Sequence, residues 1–571
     1  MRLLTTSLLA LLLVVPARAQ ELNAPHDATD GAALESRLQE VAERSRERTV
    51  LVYGVIGMGS GAIVDPSGRV VTNAHVAAGA RFALVQWADG TTSLCRQVGI
   101  DYPADLALLE PVDRPDDRSA VGPVTRPCFT FAPGRPTKGT WVVALGYPGG
   151  LGTDPRPTTT LGRVLDDAAG EGPAGPALDY SKAVRHDAPI FSGNSGGPLV
   201  DLEGRLLGIN GAVDTAQAIS LTIDIDVVRA RLERLSRGVV VLPGGVELDR
   251  GSPWLQAVYR LLDPFARRLP ERVAQGSKAA ADDESLLPPG AKQEAAELLA
   301  GLSGGAGDRM ARTARAQPRQ ELLDRLQRGD LAARVKGLTA RLEGGLLATR
   351  VAPGLIVAKA SLLPARPRLE GSSCELVAVS EADDLALLRV PLAPFAAVDA
   401  GGTPAGVDAG ERAPGSLVHV LSPDGLLASG IVSAAPRRAS ASLAASVASS
   451  GLPAPVERAV ELLKGLAERL DAAPLRALVE QLEAAMEQRR AFAMGTPPRG
   501  YPQVVAIDAP LSPGAVGAPV CDRVGRLVGV AVAIPHHGTT YVVPMARLRA
   551  AFGGALPGGR IPDRIGEAKL Y

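Results

Sequence analysis

The sequence predicts a mainly β chain, with strand-rich stretches at about 49–242 and 345–571 and helical segments before, between and within them. Three observations lead there. Short β-branched runs alternate with Gly, Pro and Asp clusters, as in an all-β barrel. This character stops near Ser252 and returns near Gly345. The two stretches also share aligned blocks, the mark of an internal repeat. At roughly 100–200 residues per domain, 571 residues suit about three or four units. Aromatics are only 3% against 46% hydrophobic residues, so aliphatic side chains must fill the cores.

Taken in order, residues 1–19 read as a signal peptide. Arg2 supplies the positive start, Leu8 to Val15 the apolar run, and Ala17-Arg18-Ala19 a small-x-small cleavage site before Gln20. The run is too short to span a bilayer comfortably, which leaves an uncleaved anchor as the lesser alternative. No Cys follows the site, and no later segment reads as a membrane span. Residues 20–48 carry an amphipathic helix over Ala33–Arg48, with Leu34, Leu38 and Val41 on one face. Ile63-Val64, Asp65-Pro66-Ser67-Gly68 and Val70-Val71 form a hairpin with turn chemistry at its tip. Residues 243–344 are a helical linker region. Ser252-Pro253 starts one helix, carrying Trp254, Leu255, Val258, Leu261 and Leu262. Ser277 to Gly290 reads as a mobile linker, and Leu322, Leu326 and Leu331 belong to a further helical stretch. Within the second strand-rich stretch, about 440–490 reads as a helical hairpin. Val456, Val460, Leu463 and Leu470 face Leu475, Leu478, Leu482 and Met486 across a turn at Asp471 to Pro474.

Charge excludes some partners. Lys plus Arg equals Asp plus Glu at 61 each, so neither nucleic acid nor an anionic membrane surface is favoured. Four cysteines, Cys95, Cys128, Cys374 and Cys521, allow three pairings, of which Cys95–Cys128 is the local one. None has the spacing of a zinc site, and no metal or cofactor is expected.

The chemistry-bearing residues lie in the first strand-rich stretch. Ser195 sits in Gly193-Asn194-Ser195-Gly196-Gly197. A serine hydroxyl needs a neighbouring base, and the oxyanion formed on attack needs backbone N–H donors. Flanking glycines let the backbone aim such donors at one point, so Gly193 and Ser195 are the expected oxyanion donors. An ordinary Gly-rich turn is the plain alternative. His75, in Thr72-Asn73-Ala74-His75-Val76, ends a strand and has the pKa range of a base. His26, His186, His419, His536 and His537 have no comparable setting. The carboxylate that orients the imidazole is Asp105, which abuts the apolar run Leu106–Leu109; Asp101 is its competitor.

These three segments, in this order, resemble the trypsin-like serine proteases, and within them the bacterial HtrA (Deg) family. The likeness runs from about Val50 to Leu235. It implies a double six-stranded β-barrel with the site between barrels, and hydrolysis of peptide bonds through an acyl-enzyme without metal. On that reading His75, Asp105 and Ser195 form the triad. Pro189 and Ile190, with the strand around Ile209-Asn210-Gly211, wall the P1 pocket, which carries no carboxylate and suits a small or aliphatic residue. Phe191 and Ser192 depart from the family pattern, and no PDZ-like segment follows.

The second stretch repeats the first. His186–Gly208 aligns without a gap on Ile507–Gly529, matching Asp187-Ala188-Pro189 with Asp508-Ala509-Pro510, Gly193 with Gly514 and Gly196 with Gly517. Val516 stands at the nucleophile position, Ser361 at the position of His75, and Asp384-Leu385-Ala386-Leu387-Leu388 copies Asp105–Leu109. Chance likeness between two Gly-rich β segments is the alternative. The expected architecture is thus a trypsin-like double β-barrel in tandem, the second copy degenerate: a pseudoprotease domain that binds, positions or regulates.

The leading expectation is an exported endopeptidase of the bacterial periplasm or medium, acting on protein or peptide chains, unfolded ones included. A non-catalytic or conditionally active binding scaffold is the second reading. An esterase acting on non-peptide esters is the third, weakened because α/β-hydrolases order their triads Ser, Asp, His. Oligomeric state is not legible in the sequence.

Overall fold

The computed structural model describes residues 31–271 apart from 56, 113–124, 149–155, 167–178, 192 and 215–216; 313–390 apart from 314 and 326–330; 412–439; scattered positions between 460 and 483; and 501–553 apart from 537–538. The signal-like residues 1–19, the 277–290 linker and most of the 440–490 stripes lie outside these residues.

The first strand-rich stretch folds as two packed β-layers. Strands β1 (Thr49–Tyr53), β2 (Met58–Ile63), β3 (Val70–Thr72), β4 (Phe82–Gln86), β5 (Thr92–Asp101) and β6 (Leu106–Pro111) run in the order β5-β4-β1-β2-β3-β6. Pairing of β5 with β6 closes the ring. The expected hairpin joins β2 to β3: Asp65 Oδ1 accepts Ser67 N–H at 2.9 Å, and Gly68 takes a φ of +83°. That left-handed backbone is open to glycine at little cost.

The second ring consists of β7 (Trp141–Gly146), β8 (Thr158–Arg163), β9 (Val184–His186), β10 (Pro198–Val200), β11 (Leu206–Asp214) and β12 (Ile219–Asp224), in the order β8-β7-β10-β11-β12-β9. A bridge between Val164 and His186 brings its two ends together. Helix α1 (Gly31–Arg46) stops two residues earlier than expected, because Thr49 already belongs to β1. Its Leu34, Leu38 and Val41 are buried as expected, in a core shared with Trp141, Val143 and, from the other half, Leu417 and Ile431. Helix α2 is the single turn Ala74–Ala77, and α3 (Ile225–Ser236) follows β12. Helix α4 (Pro253–Ala266) packs Leu255, Val258 and Leu262 on the first ring, joined there by Val460, Leu463 and Val479 of the 440–490 insertion.

Short strands β13 (Val240–Val241) and β14 (Glu247–Leu248) extend the first ring's sheet beside β5. The second strand-rich stretch starts at Thr339, slightly before the expected 345. Its first sheet holds β15 (Thr339–Arg341), β16 (Leu347–Ala352), β17 (Leu355–Lys359), β20 (Glu375–Ser380) and β21 (Leu385–Arg389), ordered β15-β16-β17-β21-β20, and β18 (Arg368–Leu369) pairs with β19 (Ser372–Ser373) apart from it. This is the order β1-β2-β3-β6-β5, and among the described residues no strand takes the place of β4, so the ring that a full double barrel implies stays open there. The remaining six, β22 (Leu417–Leu421), β23 (Leu427–Ala439), β24 (Tyr501–Ile507), β25 (Pro519–Asp522), β26 (Leu527–His536) and β27 (Thr539–Pro544), close as β22-β23-β24-β27-β26-β25. That is the cyclic order of β7 to β12. All four cysteines are free, so the Cys95–Cys128 pair is not made. Cys95 faces the first ring's core while Cys128 sits half-buried at its edge.

A buried cation joins the halves. Arg319, on helix α5 (Pro318–Arg325), donates Nη1 to Leu161 O at 2.8 Å and Nη2 to Asp508 O at 2.8 Å. Its backbone N–H donates to Asp187 Oδ2 at 2.8 Å, while Leu161 N–H donates to Asp508 Oδ2 at 2.9 Å. Asp187 and Asp508 are the aligned pair of the repeat, so equivalent carboxylates from the two copies meet at one arginine, Asp187 at its backbone N–H and Asp508 at its guanidinium. Removing one member of a buried charge cluster strands the others, at about 3–5 kcal/mol. Arg319→Ala is therefore expected to lower the thermal unfolding midpoint in calorimetry by the equivalent of that amount; a loss under about 1 kcal/mol would contradict the buried cluster.

Candidate active site

His75 lies on the short helix α2 directly after β3, and Asp105 ends the tight turn that leads into β6. Antiparallel pairing of β3 with β6 sets Thr72 opposite Ala107, which brings the two residues together. The imidazole Nδ1 stands 2.9 Å from Asp105 Oδ2 and 3.0 Å from Oδ1, and the His75 backbone N–H donates to Oδ1 at 3.1 Å. With Nδ1–H donating to the carboxylate, Nε2 is left as a proton acceptor. The Asp105 side chain is 2% exposed and that of His75 18%, so the base has an open edge and its orienting carboxylate does not.

Asp105 adopts a φ of +50°, a conformation that costs a non-glycine residue about 1–2 kcal/mol. Its own N–H donates to Tyr102 O at 3.0 Å, and Asn73 Nδ2 donates to its carbonyl at 2.9 Å. Burial pushes the His75 pKa down. The charge of Asp105 and its hydrogen bond more than reverse this, leaving His75 above its ordinary 6.5. Asp101, the competitor, accepts Ala104 N–H at 3.0 Å and faces Arg231 at 3.5 Å, a turn-forming role.

Ser195 lies on the loop before β10. Its Oγ donates to Gly211 O at 3.3 Å, so the structure brings His75 and Asp105 together and leaves the serine hydroxyl turned to the neighbouring strand. Gly193 has a φ of +100°, and a Cβ there would stand 2.3 Å from Tyr147 O, so only glycine fits. Among the described residues, the N–H groups of Gly193 and Ser195 donate to no protein acceptor. The expected oxyanion donors are thus both unspent.

Two residues of this site were not singled out from the sequence. Ser60, fully buried on β2, donates Oγ to Gly193 O at 2.6 Å and accepts Tyr147 N–H at 2.9 Å; its N–H donates to Ser195 O at 2.7 Å. One residue of the first ring thereby clamps the serine loop of the second. Tyr180, before β9, donates its hydroxyl to Asp105 Oδ2 at 2.6 Å. Of the expected pocket residues, Pro189 is half-buried and Ile190 buried, while Ile209 is fully buried in the core shared by the rings. Ile209 is thus a packing residue, and Gly211 presents backbone at that strand.

In the second copy Asp384 repeats the left-handed conformation, at a φ of +53°, and accepts Ser361 N–H at 2.8 Å. Ser361 Oγ donates to Asp384 Oδ2 at 2.7 Å, and Lys359 Nζ lies 2.7 Å from the same oxygen. Val516 is buried. Gly514, aligned with Gly193, lies in the 3-10 turn Pro513–Ala515 without a positive φ. At the positions aligned with the first copy, Ser361 stands in place of the histidine, Val516 in place of the serine, and Gly514 lacks the positive φ of Gly193.

Residues 59–209 match the model of the trypsin-like peptidase domain. The chain carries a trypsin-like peptidase domain. Its relatives include "Probable periplasmic serine endoprotease DegP-like" of Hahella chejuensis, 32% identical over 41% of this chain and 46% of that protein. "Serine protease HTRA2, mitochondrial" of Drosophila erecta is 34% identical over 31% of this chain and 39% of that protein. The chain therefore spans less than half the length of these relatives. Among solved structures, the Rv3671c protease in its inactive form is 28% identical over 34% of this chain and 92% of that one, at a TM-score of 0.29.

The Ser60 hydroxyl is the joint between the peptidase domain's rings. Ser60→Ala leaves a buried carbonyl and N–H unpaired, worth roughly 1–3 kcal/mol each. Hydrogen exchange of residues 191–197 is expected to speed up markedly; unchanged protection would contradict the clamp.

Proposed function

We propose that the chain is an exported serine endopeptidase that cleaves protein or peptide substrates, with His75, Asp105 and Ser195 as its triad. The observation that carries this is the imidazole held at 2.9 Å by a buried carboxylate, beside a serine loop whose Gly193 and Ser195 donors are unspent. A turn of the Ser195 hydroxyl away from Gly211 O releases it to the imidazole. Oγ then bonds to the substrate carbonyl carbon as His75 Nε2 takes its proton. Gly193 and Ser195 N–H stabilise the oxyanion. The C–N bond breaks as His75 returns the proton to the leaving amine, and water cleaves the ester by the same route. Tyr147 and Pro189 to Phe191 border the loop without a carboxylate, which supports a small or aliphatic P1 residue. Export is supported by the signal-like residues 1–19 and by the name of the Hahella relative, a periplasmic endoprotease. Among the described residues no helix is long and apolar enough to cross a membrane.

The second copy, in this reading, has no chemistry and acts as a brace. Asp508 and Arg319 fasten the strand bearing Leu161 and the Asp187 end of the serine loop. The serine hydroxyl's bond to Gly211 O favours a second reading, in which the resting chain binds substrates and is switched on by reorientation of Ser195.

Cleavage of unfolded casein by the wild type, abolished in Ser195→Ala, tests the proposal; equal cleavage by both would place the activity elsewhere. The base must be neutral to accept a proton, and His75 lies above 6.5. The rate is therefore expected to fall as pH drops through a midpoint above 6.5. A midpoint at or below 6.5 in kcat/KM would contradict the Asp105 contribution.

A further inference from the structure

We propose that Tyr180 is a positioning residue of the triad: its hydroxyl fixes the Asp105 carboxylate against His75 and draws off part of its charge, which sets how basic the imidazole is. This rests on the triad reading above. The phenol is buried, 3% exposed, and its oxygen lies 2.6 Å from Asp105 Oδ2, the oxygen that also faces His75 Nδ1 at 2.9 Å. Burial and the negative charge of Asp105 raise the phenol pKa well above 10, so it stays a protonated donor. Asp105 is thus held from three sides: by the His75 backbone N–H and ring, by Asn73 at its carbonyl, and by Tyr180.

The fold is shaped around this contact. Asp179 N–H donates to Pro103 O at 2.8 Å, which ties the tyrosine's segment to the turn carrying Asp105. On the other side the ring lies against Gly211, where a Cβ would stand 2.2 Å from the phenol oxygen. Glycine at 211 therefore makes room for the tyrosine, and the same glycine's carbonyl receives the Ser195 hydroxyl. Among the described residues, Asp105 is the charged group acting on His75, and Asp101 on the far side of the turn is paired with Arg231 at 3.5 Å.

The repeat supplies an independent observation. The alignment that places His186 on Ile507 places Tyr180 on Tyr501. Tyr501 OH there accepts from Lys359 Nζ at 3.1 Å, and Lys359 pairs with Asp384. Lys359 stands at the position of Asn73. Tyrosine and aspartate are thus kept in both copies. In the copy with a histidine the tyrosine donates directly to the aspartate, and in the copy without one Lys359 contacts both the tyrosine and the aspartate.

The test is the titration of His75 in the full chain, read by NMR of isotope-labelled histidine and assigned with His75→Gln. Without the phenol donor the buried carboxylate keeps more of its charge for the imidazolium. Tyr180→Phe is therefore expected to raise the His75 midpoint by about half a pH unit or more. With a peptide substrate, kcat is expected to fall about tenfold or more with KM unchanged, the worth of one hydrogen bond to a charged group. Gly211→Ala displaces the phenol without removing it and is expected to move the midpoint in the same direction. A His75 midpoint unchanged, or lowered, in both variants would overturn the proposal. The titration reads the imidazole and needs no turnover. A chain that cleaves nothing but whose His75 responds would refute the peptidase reading alone; a chain that cleaves and whose His75 does not respond would refute the role of Tyr180 alone.

Discussion

The site depends on one buried carboxylate. Asp105 is held in a left-handed backbone at the mouth of the first ring, where an unpaired charge would be costly. Its oxygens are satisfied by groups that converge from separate elements: His75 after β3, Tyr180 before β9 and, at its carbonyl, Asn73. Tyr180 reaches this carboxylate from the second ring, so the contact ties the two rings together. Ser60 extends the same coupling to the serine loop, since one side chain from β2 holds Gly193 and Tyr147 at once.

The second copy shows which part of this frame is structural. Asp384 keeps the strained φ and the backbone N–H donor, so the turn survives without a histidine at the aligned position. What changes is what satisfies the carboxylate. A lysine and a serine hydroxyl replace the imidazole, and pairing keeps Lys359 protonated: burial lowers its pKa, but Tyr501 and Asp384 more than offset this and raise it above its usual value. Such a group holds charge without exchanging protons near neutrality. The loop that would carry the nucleophile relaxes into a 3-10 turn once glycine's positive φ is no longer used. The copy is thereby free to serve as packing surface, and Asp508 joins Arg319 and Leu161 at the junction of the halves.

Much of this was legible in the sequence because it is local. The β2–β3 hairpin, the apolar face of α1 and the three motif segments each depend on neighbours in the chain. The repeat was legible because its Gly, Pro and Asp positions answer to backbone geometry that both copies share. Ser60 and Tyr180 were not singled out, since each acts across the rings on residues far away in sequence. Extending the gap-free alignment a few residues upstream would have paired Tyr180 with Tyr501. Ile209 was placed at the pocket wall because alternation alone does not tell a core-facing from a cleft-facing side of a strand between two rings. The missing counterpart of β4 and the buried Arg319 leave no local pattern at all.

On the proposed reading, the first copy alone holds an activated serine. The most direct measurement of this is reaction of the full chain with a fluorophosphonate probe, followed by peptide mapping of the adduct. A single adduct on Ser195, lost in His75→Gln, is the predicted result. An adduct on Ser361, or none on the wild type under conditions where it cleaves substrate, would contradict it.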